Sequence, residues 1–318
     1  MNCDNGMFIG VDIGGTKCAV VKGNEKVGIL KKVKFDTTYV KETIENIINA
    51  VKTMGDADAI GISCGGPLDS KNGIIMNPPN LPGWNNIHIC KILEENTNIP
   101  AFIQNDANAC ALAEWRYGAG KGSQNMVFLT FGTGLGAGLI LNSQLYSGTN
   151  DMAGEVGHIR LSDFGPVGYG KSGSFEGFCS GGGIAEIAKI KAKEALQRGK
   201  SLSYCKSLDE LNSISAKSIA EFAFAGYDDA KEVYDICAEK LGMGLSILID
   251  ILNPEKIVIG SVYQRSGQLL EKRMQEIIDK EALDHAKSVC KVVPAELGDS
   301  IGDFAAIAVA ETYFRRLS

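Results

Sequence analysis

Two glycine-centred strand–turn–strand segments constrain this 318-residue chain more than any other feature. From Phe8 the apolar run FIGVDIG meets GTK and continues as CAVVKG; from Phe128 the run FLTFGTGLGAGLI follows the same scheme. An apolar run interrupted by a few turn residues and then resumed reads as a hairpin of two buried strands. The likeness of the two segments indicates an internal duplication, two related halves facing each other across a cleft. The chain is long enough for two such halves to have cores of their own.

The rest of the sequence fits alternating helices and strands. KETIENIINAVKTM (41–54) places Ile44, Ile47, Ile48 and Val51 on one stripe, which predicts an amphipathic helix. ADAIGIS (57–63) and IPAFIQ (99–104) read as buried strands that end at CGGP and at Asn105–Asp106, and ANACALAEWRYG continues as a helix. Ligands gather at the carboxyl ends of strands in such α/β domains, so these ends are candidate sites. GAGKGSQ (118–124) is expected to link the halves. Beyond it, 183–197, 216–226, 229–252 and the closing 302–318 carry helical spacing, with a strand KIVIGSV at 256–262. The expected domains are 1–119, with the 302–318 helix packing back on it, and 120–301.

A net charge of −6 argues against a nucleic-acid surface, no apolar run approaches the roughly 20 residues of a membrane span, and the start lacks a secretion signal. Nine cysteines, at 3, 18, 64, 90, 110, 179, 205, 237 and 290, form no CxxC pair and read as reduced thiols. A cytoplasmic protein is expected.

Chemistry concentrates at a few positions. In DIGGTK, Gly14 and Gly15 permit close approach, and turn N–H groups with the Thr16 hydroxyl can cradle an anion; GTGLG (132–136) offers the same. Asp12 beside a phosphate cradle would repel the phosphate unless Mg²⁺ intervenes, although an exposed turn aspartate is the plainer alternative. Asp106 stands after a strand and at a helix start. There it can be an N-cap or a general base taking a hydroxyl proton during phosphoryl transfer, a role open to an unperturbed carboxylate.

DIGGTK, GGP, NLPGW, NDANA, GTGLGAGL and GEVGH, in this order and spacing, resemble the ROK family of sugar kinases and sugar-responsive repressors, over about residues 7–316. The resemblance implies a two-lobed α/β actin-like ATPase (ribonuclease H-like) fold with a central cleft. It implies ATP and Mg²⁺ held by Asp12, Gly14, Gly15, Thr16 and Lys17 and by Gly132, Thr133 and Gly134, the metal reached from Asp12 through water. SGGGI (180–184) and IVIGS (257–261) add Gly182 and Gly260 at the adenosine end, where helix entry and strand-turn packing explain the glycines equally well. Asp106 would be the catalytic base, directed at the 6-OH of glucose or a close relative. Gly66, Asn80, Asn105, Glu155, His158 and Glu176 would complete the sugar pocket, chemistry that suits a polyol. Fructose, N-acetylglucosamine and N-acetylmannosamine are alternative substrates, and a homodimer is the family's usual state.

One departure concerns GPVGYGKSG (165–173). The family commonly continues from the histidine into CxCGxxGCxE, whose cysteines bind a structural zinc. Here Val167, Tyr169 and Ser174 fill the cysteine positions while Gly170 and Gly173 remain, so no zinc is expected, and the loop is expected to be held by packing of Val167 and Tyr169 and by backbone hydrogen bonds. The same stretch matches GxxxxGKS from Gly165 and GxGxxG from Gly168, but a phosphate loop needs a buried strand before it and a helix after it. RLSDF and SGSFEGFCSGGG supply neither, so Lys171 is expected to be unimportant for ATP. The first strand begins by about residue 7, leaving no room for the N-terminal helix-turn-helix module of a repressor. A kinase is therefore favoured over a regulator, with no nucleic-acid or membrane partner, and over an actin-like ATPase without a sugar.

Overall fold

The computed structural model describes residues 6–317; Cys3 and Ser318, the end of the expected 302–318 helix, lie outside them. The chain opens with β1 (Phe8–Ile13), β2 (Lys17–Asn24), β3 (Gly28–Asp36), α1 (Val40–Met54) and β4 (Ala59–Cys64). A short pair, β5 (Leu68–Asp69) and β6 (Ile74–Ile75), precedes α2 (Ile89–Thr97), β7 (Ala101–Asn105) and α3 (Asp106–Tyr117). The strand pattern then recurs as β8 (Met126–Leu129), β9 (Ala137–Leu141) and β10 (Gln144–Tyr146), before a hairpin of β11 (Val167–Gly168) and β12 (Lys171–Ser172). There follow α4 (Phe175–Phe178), α5 (Gly181–Gln197), α6 (Ala216–Phe224), α7 (Asp228–Leu252), β13 (Lys256–Ile259), α8 (Val262–Ser266), α9 (Glu271–Glu281), α10 (Asp284–Val289), β14 (Lys291–Pro294) and α11 (Ile301–Leu317).

Two five-stranded sheets result, in the orders β3-β2-β1-β4-β7 and β10-β9-β8-β13-β14. In the first, β1 runs antiparallel to β2 and parallel to β4, with Asp12 facing Ala19 on one side and Ser63 on the other. In the second, β13 is parallel to both β8 and β14, and β9 is antiparallel to β10. The likeness of the two glycine segments thus extends to the sheets, each an antiparallel run joined to two parallel strands.

The chain divides into two compact units, Met1–Gln124 with Gly138–Ala153 and Glu296–Ser318, and Asn125–Ala137 with Gly154–Ala295. This differs from the expected division at 119/120, because β9 and β10 group with the first unit. The cause is close backbone approach: a Cβ on Gly138 would stand 2.4 Å from Ala111 Cβ and 2.6 Å from Ala107 O on α3. α11 lies as tightly on the first sheet, since a Cβ on Gly61 would meet Ala306 O at 2.0 Å.

The first core packs Val11, Ile13, Val20, Ile60 and Ile62 of the sheet against Ile47 and Val51 of α1, with Ile44 and Ile48 half-buried at the flank. Leu81 and Trp84 are buried in the same cluster and anchor the NLPGW loop. The described cysteines are free: Cys18, Cys64, Cys90, Cys179, Cys205 and Cys237 are buried, Cys110 and Cys290 partly so. Among the described residues no helix is long and apolar enough to cross a membrane.

Candidate active site

In the first unit the turn between β1 and β2 is tied down from behind. Gly14 N donates to Lys17 O at 3.1 Å, Thr37 N to Thr16 O at 2.9 Å and Thr37 Oγ1 to Gly14 O at 2.6 Å. Thr16 and Lys17 are exposed at its tip. Gly15 presses on the NLPGW loop, where a Cβ would fall 2.5 Å from Asn80 O. Gly15→Ala is therefore expected to push that loop and the turn apart and lower kcat/KM on the order of tenfold or more, read from steady-state kinetics in ATP; an unchanged value would show that the contact is not needed.

Asn80, beside this turn, also adjoins Gly65, and Asn105 adjoins the next residue, Gly66. The Asn80 side-chain amide lies within 3.3 Å of where a Gly65 Cβ would stand, and Asn105 Nδ2 within 3.4 Å of one on Gly66. Asn105 is the N-cap of α3: its Oδ1 accepts from Ala107 N at 2.9 Å and Asn108 N at 3.4 Å. With Asn105 in that role, Asp106 is the first helical residue, and its Oδ1 accepts from Ala107 N at 2.8 Å. The N-cap alternative considered for Asp106 thus falls on its neighbour.

Asp106 keeps a solvent-facing side, yet the protein crowding around it raises its pKa above the ordinary aspartate value of 3.8, with desolvation the main cause. Asp12 is pushed up to about 6, first by burial, then by the like charges of Asp106 and Asp303, with Lys32 and Lys34 opposing. Asp303, at the start of α11, is ion-paired with Lys32. A divalent cation would offset the repulsion among these like charges, but among the described residues no group of three or more His, Cys, Asp or Glu is placed to hold a metal ion.

In the second unit the Gly132–Gly136 turn is closed by Gly132 N to Gly134 O, Thr130 N to Gly136 O (each 3.0 Å) and Gly136 N to Thr130 Oγ1 (2.9 Å). Gly181 N donates to Gly132 O at 2.7 Å, and Ser180 Oγ caps the 17-residue α5 by accepting from Gly183 N at 2.9 Å. A Cβ on Gly182 would sit 3.6 Å from Thr133 O, and one on Gly132 3.6 Å from Ser261 Oγ. Gly260 N donates to Leu129 O at 3.0 Å. The turn, the helix N-terminus and the β13–α8 turn therefore share one corner, an arrangement suited to an anion.

Glu176 reaches this turn directly. Its Oε2 accepts from Leu135 N at 2.9 Å, and a Cβ on Gly134 would lie 2.6 Å from the same oxygen. Sequence reasoning placed Glu176 with the sugar and did not foresee this tie. Gly157 brings GEVGH to the same place, since a Cβ there would be 2.1 Å from Leu135 O and 3.2 Å from Glu176 Cβ. Glu155 and His158 flank it, both exposed, with His158 N donating to Glu155 O at 3.2 Å.

The 165–176 stretch is a hairpin. Gly173 N donates to Pro166 O at 3.0 Å, Ser172 Oγ to Gly165 O at 3.0 Å, and Gly173 O accepts from Leu161 N and Ser162 N. The expected packing of Val167 and Tyr169 does not occur. They are 62% and 82% exposed, because the two-residue strands are too short to turn a face inward. Ser174 instead caps α4, accepting from Gly177 N at 3.1 Å. Lys171 Nζ donates to His158 O at 2.7 Å and Arg160 to Ser172 O at 2.8 Å. Lys171→Ala is expected to leave ATP affinity within about twofold in calorimetry, since a solvent-exposed tie of this kind contributes little; a tenfold loss would return Lys171 to the phosphates.

Residues 8–312 match the ROK family. The chain belongs to the ROK family. A glucokinase from Halalkalibacterium halodurans is 32% identical over 308 residues, 93% of this chain and 92% of the relative. The solved structure of a ROK family glucokinase from Streptomyces griseus, in complex with glucose and AMPPNP, is 29% identical with a TM-score of 0.75, covering 96% of this chain and 100% of that one. A xylose repressor from Caldicellulosiruptor bescii is 28% identical over 89% of this chain and 72% of its own length. This ROK chain has kinase and regulator relatives, and the glucokinases, more similar than the repressor and matched over nearly their whole length, mark it as a sugar kinase.

Proposed function

We propose that the chain is an ATP-dependent hexose kinase that phosphorylates the 6-OH of glucose or a close relative, with Asp106 as general base. The observation that carries this is the placement of the Asp106 carboxylate at the start of α3, directly after Asn105, whose side chain faces Gly66, and close enough for its charge to act on Asp12. The glucokinase relatives support the same reading.

In the reaction, Asp106 takes the proton of the sugar hydroxyl as that oxygen bonds the γ-phosphorus of ATP and the bond to the ADP oxygen breaks. In the first unit the Gly14–Lys17 turn is the candidate phosphate cradle, and Asn80 and Asn105 are the candidate sugar-hydroxyl ligands. In the second unit the Gly132–Gly136 turn with the α5 N-terminus is the candidate phosphate cradle, and Glu155, His158 and Glu176 are the candidate sugar-hydroxyl ligands. Asp12 would hold Mg²⁺, which when bound would supply charge neutralisation on the phosphates. The free thiols support a cytoplasmic setting.

Asp12 titrates near 6 rather than 3.8, so the folded state binds its proton more tightly than the unfolded chain. This group therefore adds stability below about pH 4, and that contribution is lost as pH rises through about 6. Asp12→Asn is expected to raise the melting temperature at pH 8 relative to wild type, with the gain shrinking towards pH 4, while weakening Mg²⁺-dependent turnover. Calorimetric scans at the two pH values check it, and a lower melting temperature at pH 8 would contradict it. The phosphorylated position is checked by ³¹P NMR of the product across glucose, mannose, fructose, N-acetylglucosamine and N-acetylmannosamine, with a glucose-type 6-phosphate expected.

A further inference from the structure

Directly behind the strand-to-helix junction that presents Asn105 and Asp106 lies a chain of buried polar side chains. Gln104, fully buried in β7, accepts at Oε1 from Asn108 Nδ2 at 3.0 Å and donates from Nε2 to Tyr313 Oη of α11 at 2.7 Å. Asn108 is 1% exposed, and among the described residues its Oδ1 is the buried side-chain polar atom without a hydrogen-bond partner. Tyr313 is fixed in turn by stacking on Phe102, ring centroids 5.5 Å apart.

Apolar packing alone would not select these residues. The neighbours Ile103, Ala107, Ala109 and Leu112 are buried and apolar. A buried amide oxygen with no partner carries a desolvation cost that a leucine or methionine would avoid. What the polar chain supplies is direction. Gln104 and Asn108 bond across the three residues 105–107, and Tyr313 holds the outer end of that bond to a third element. On the other side, Asn105 Oδ1 and Asp106 Oδ1 both accept from Ala107 N. The junction is bracketed from both sides, which fixes how α3 departs from β7 and hence where the Asp106 carboxylate stands.

We propose that Gln104, held between Asn108 and Tyr313, is a positioning residue for the Asp106 carboxylate. The proposal rests on the kinase reading only for its kinetic test. A displacement of about 1 Å at a reacting group can cost up to ~100-fold in rate, so loosening the bracket acts on turnover and not on sugar affinity.

The test compares Gln104→Met, Tyr313→Phe and Gln104→Glu in the full chain. Gln104→Met and Tyr313→Phe are expected to lower kcat roughly 10–100-fold with sugar KM within twofold. Gln104→Glu, which keeps an acceptor for Asn108 and a partner for Tyr313, should restore kcat to within a few-fold. Hydrogen exchange at the Ala107 amide should quicken at least tenfold in the first two variants and not in the third. Normal kcat with a lowered melting temperature, or unchanged Ala107 exchange, would make the chain merely structural and overturn the proposal. Should the wild type show no sugar-dependent turnover, the kinase reading fails and Ala107 exchange alone decides the positioning role. Tyr313→Phe keeps the stacked ring, so it still reports if Gln104→Met does not fold.

Discussion

Asp106→Asn is expected to lower kcat by roughly 10²–10⁴-fold while leaving sugar affinity nearly intact. The amide keeps the size of the carboxylate and can still accept from Ala107 N, as Asp106 Oδ1 does at 2.8 Å, so the helix start is preserved. What disappears is the proton acceptor, whose typical worth is that range. Single-turnover kinetics with calorimetric sugar binding separate the two, and near-normal kcat would remove Asp106 from the role. The substitution has a second readout. Asp106 is the largest charged contributor to the raised Asp12 pKa, so neutralising it should lower Asp12 from about 6, measured by ¹³C NMR of the carboxyl. In the wild type the raised pKa of Asp106 places the acid limb of kcat/KM above the ordinary aspartate range, because the base is lost when it is protonated.

Glu114→Gln is expected to destabilise the fold by about 2–4 kcal/mol. Glu114 is fully buried on α3, eight residues beyond Asp106. Its Oε2 accepts from Ala119 N at 2.9 Å and Glu296 N at 3.1 Å, and its Oε1 from Leu297 N at 2.9 Å. Both oxygens face N–H donors. Either orientation of a glutamine therefore turns its NH₂ against a donor and leaves at least one part-buried N–H without its carboxylate acceptor, at ~1–3 kcal/mol each and more for bonds to a charge. Equilibrium urea denaturation should show a lower midpoint at unchanged slope, and a loss below about 0.5 kcal/mol would contradict the geometry.

Glu114 also shows why part of the molecule was hidden in the sequence. ANACALAEWRYG announces a helix, but nothing local says that its one carboxylate is buried against backbone N–H groups more than 180 residues away in the chain. The two glycine segments were legible because a strand, tight turn and second strand are local events, and their likeness carried through to the matching sheet orders. The boundary at 138–153 was not, because it depends on the fit of Gly138 against α3. At the site, Asp12, Asn105 and Asp106 could be picked out by position at strand ends. The charges that set their titration could not: Asp303 reaches Asp12 only after α11 folds back, and Lys32 only once β3 joins the sheet. In the 165–173 stretch, Tyr169 and Val167 looked like packing residues by side-chain type, but a hairpin of two-residue strands presents them to water.

The most direct test of the account is sugar-dependent ADP release by the purified chain with Mg²⁺ and ATP, measured across glucose, mannose, fructose, allose, N-acetylglucosamine and N-acetylmannosamine. The account predicts that at least one of these, glucose first, raises ADP release far above the sugar-free rate and that Asp106→Asn abolishes the increase. ADP release that no hexose or N-acetylhexosamine stimulates would contradict it.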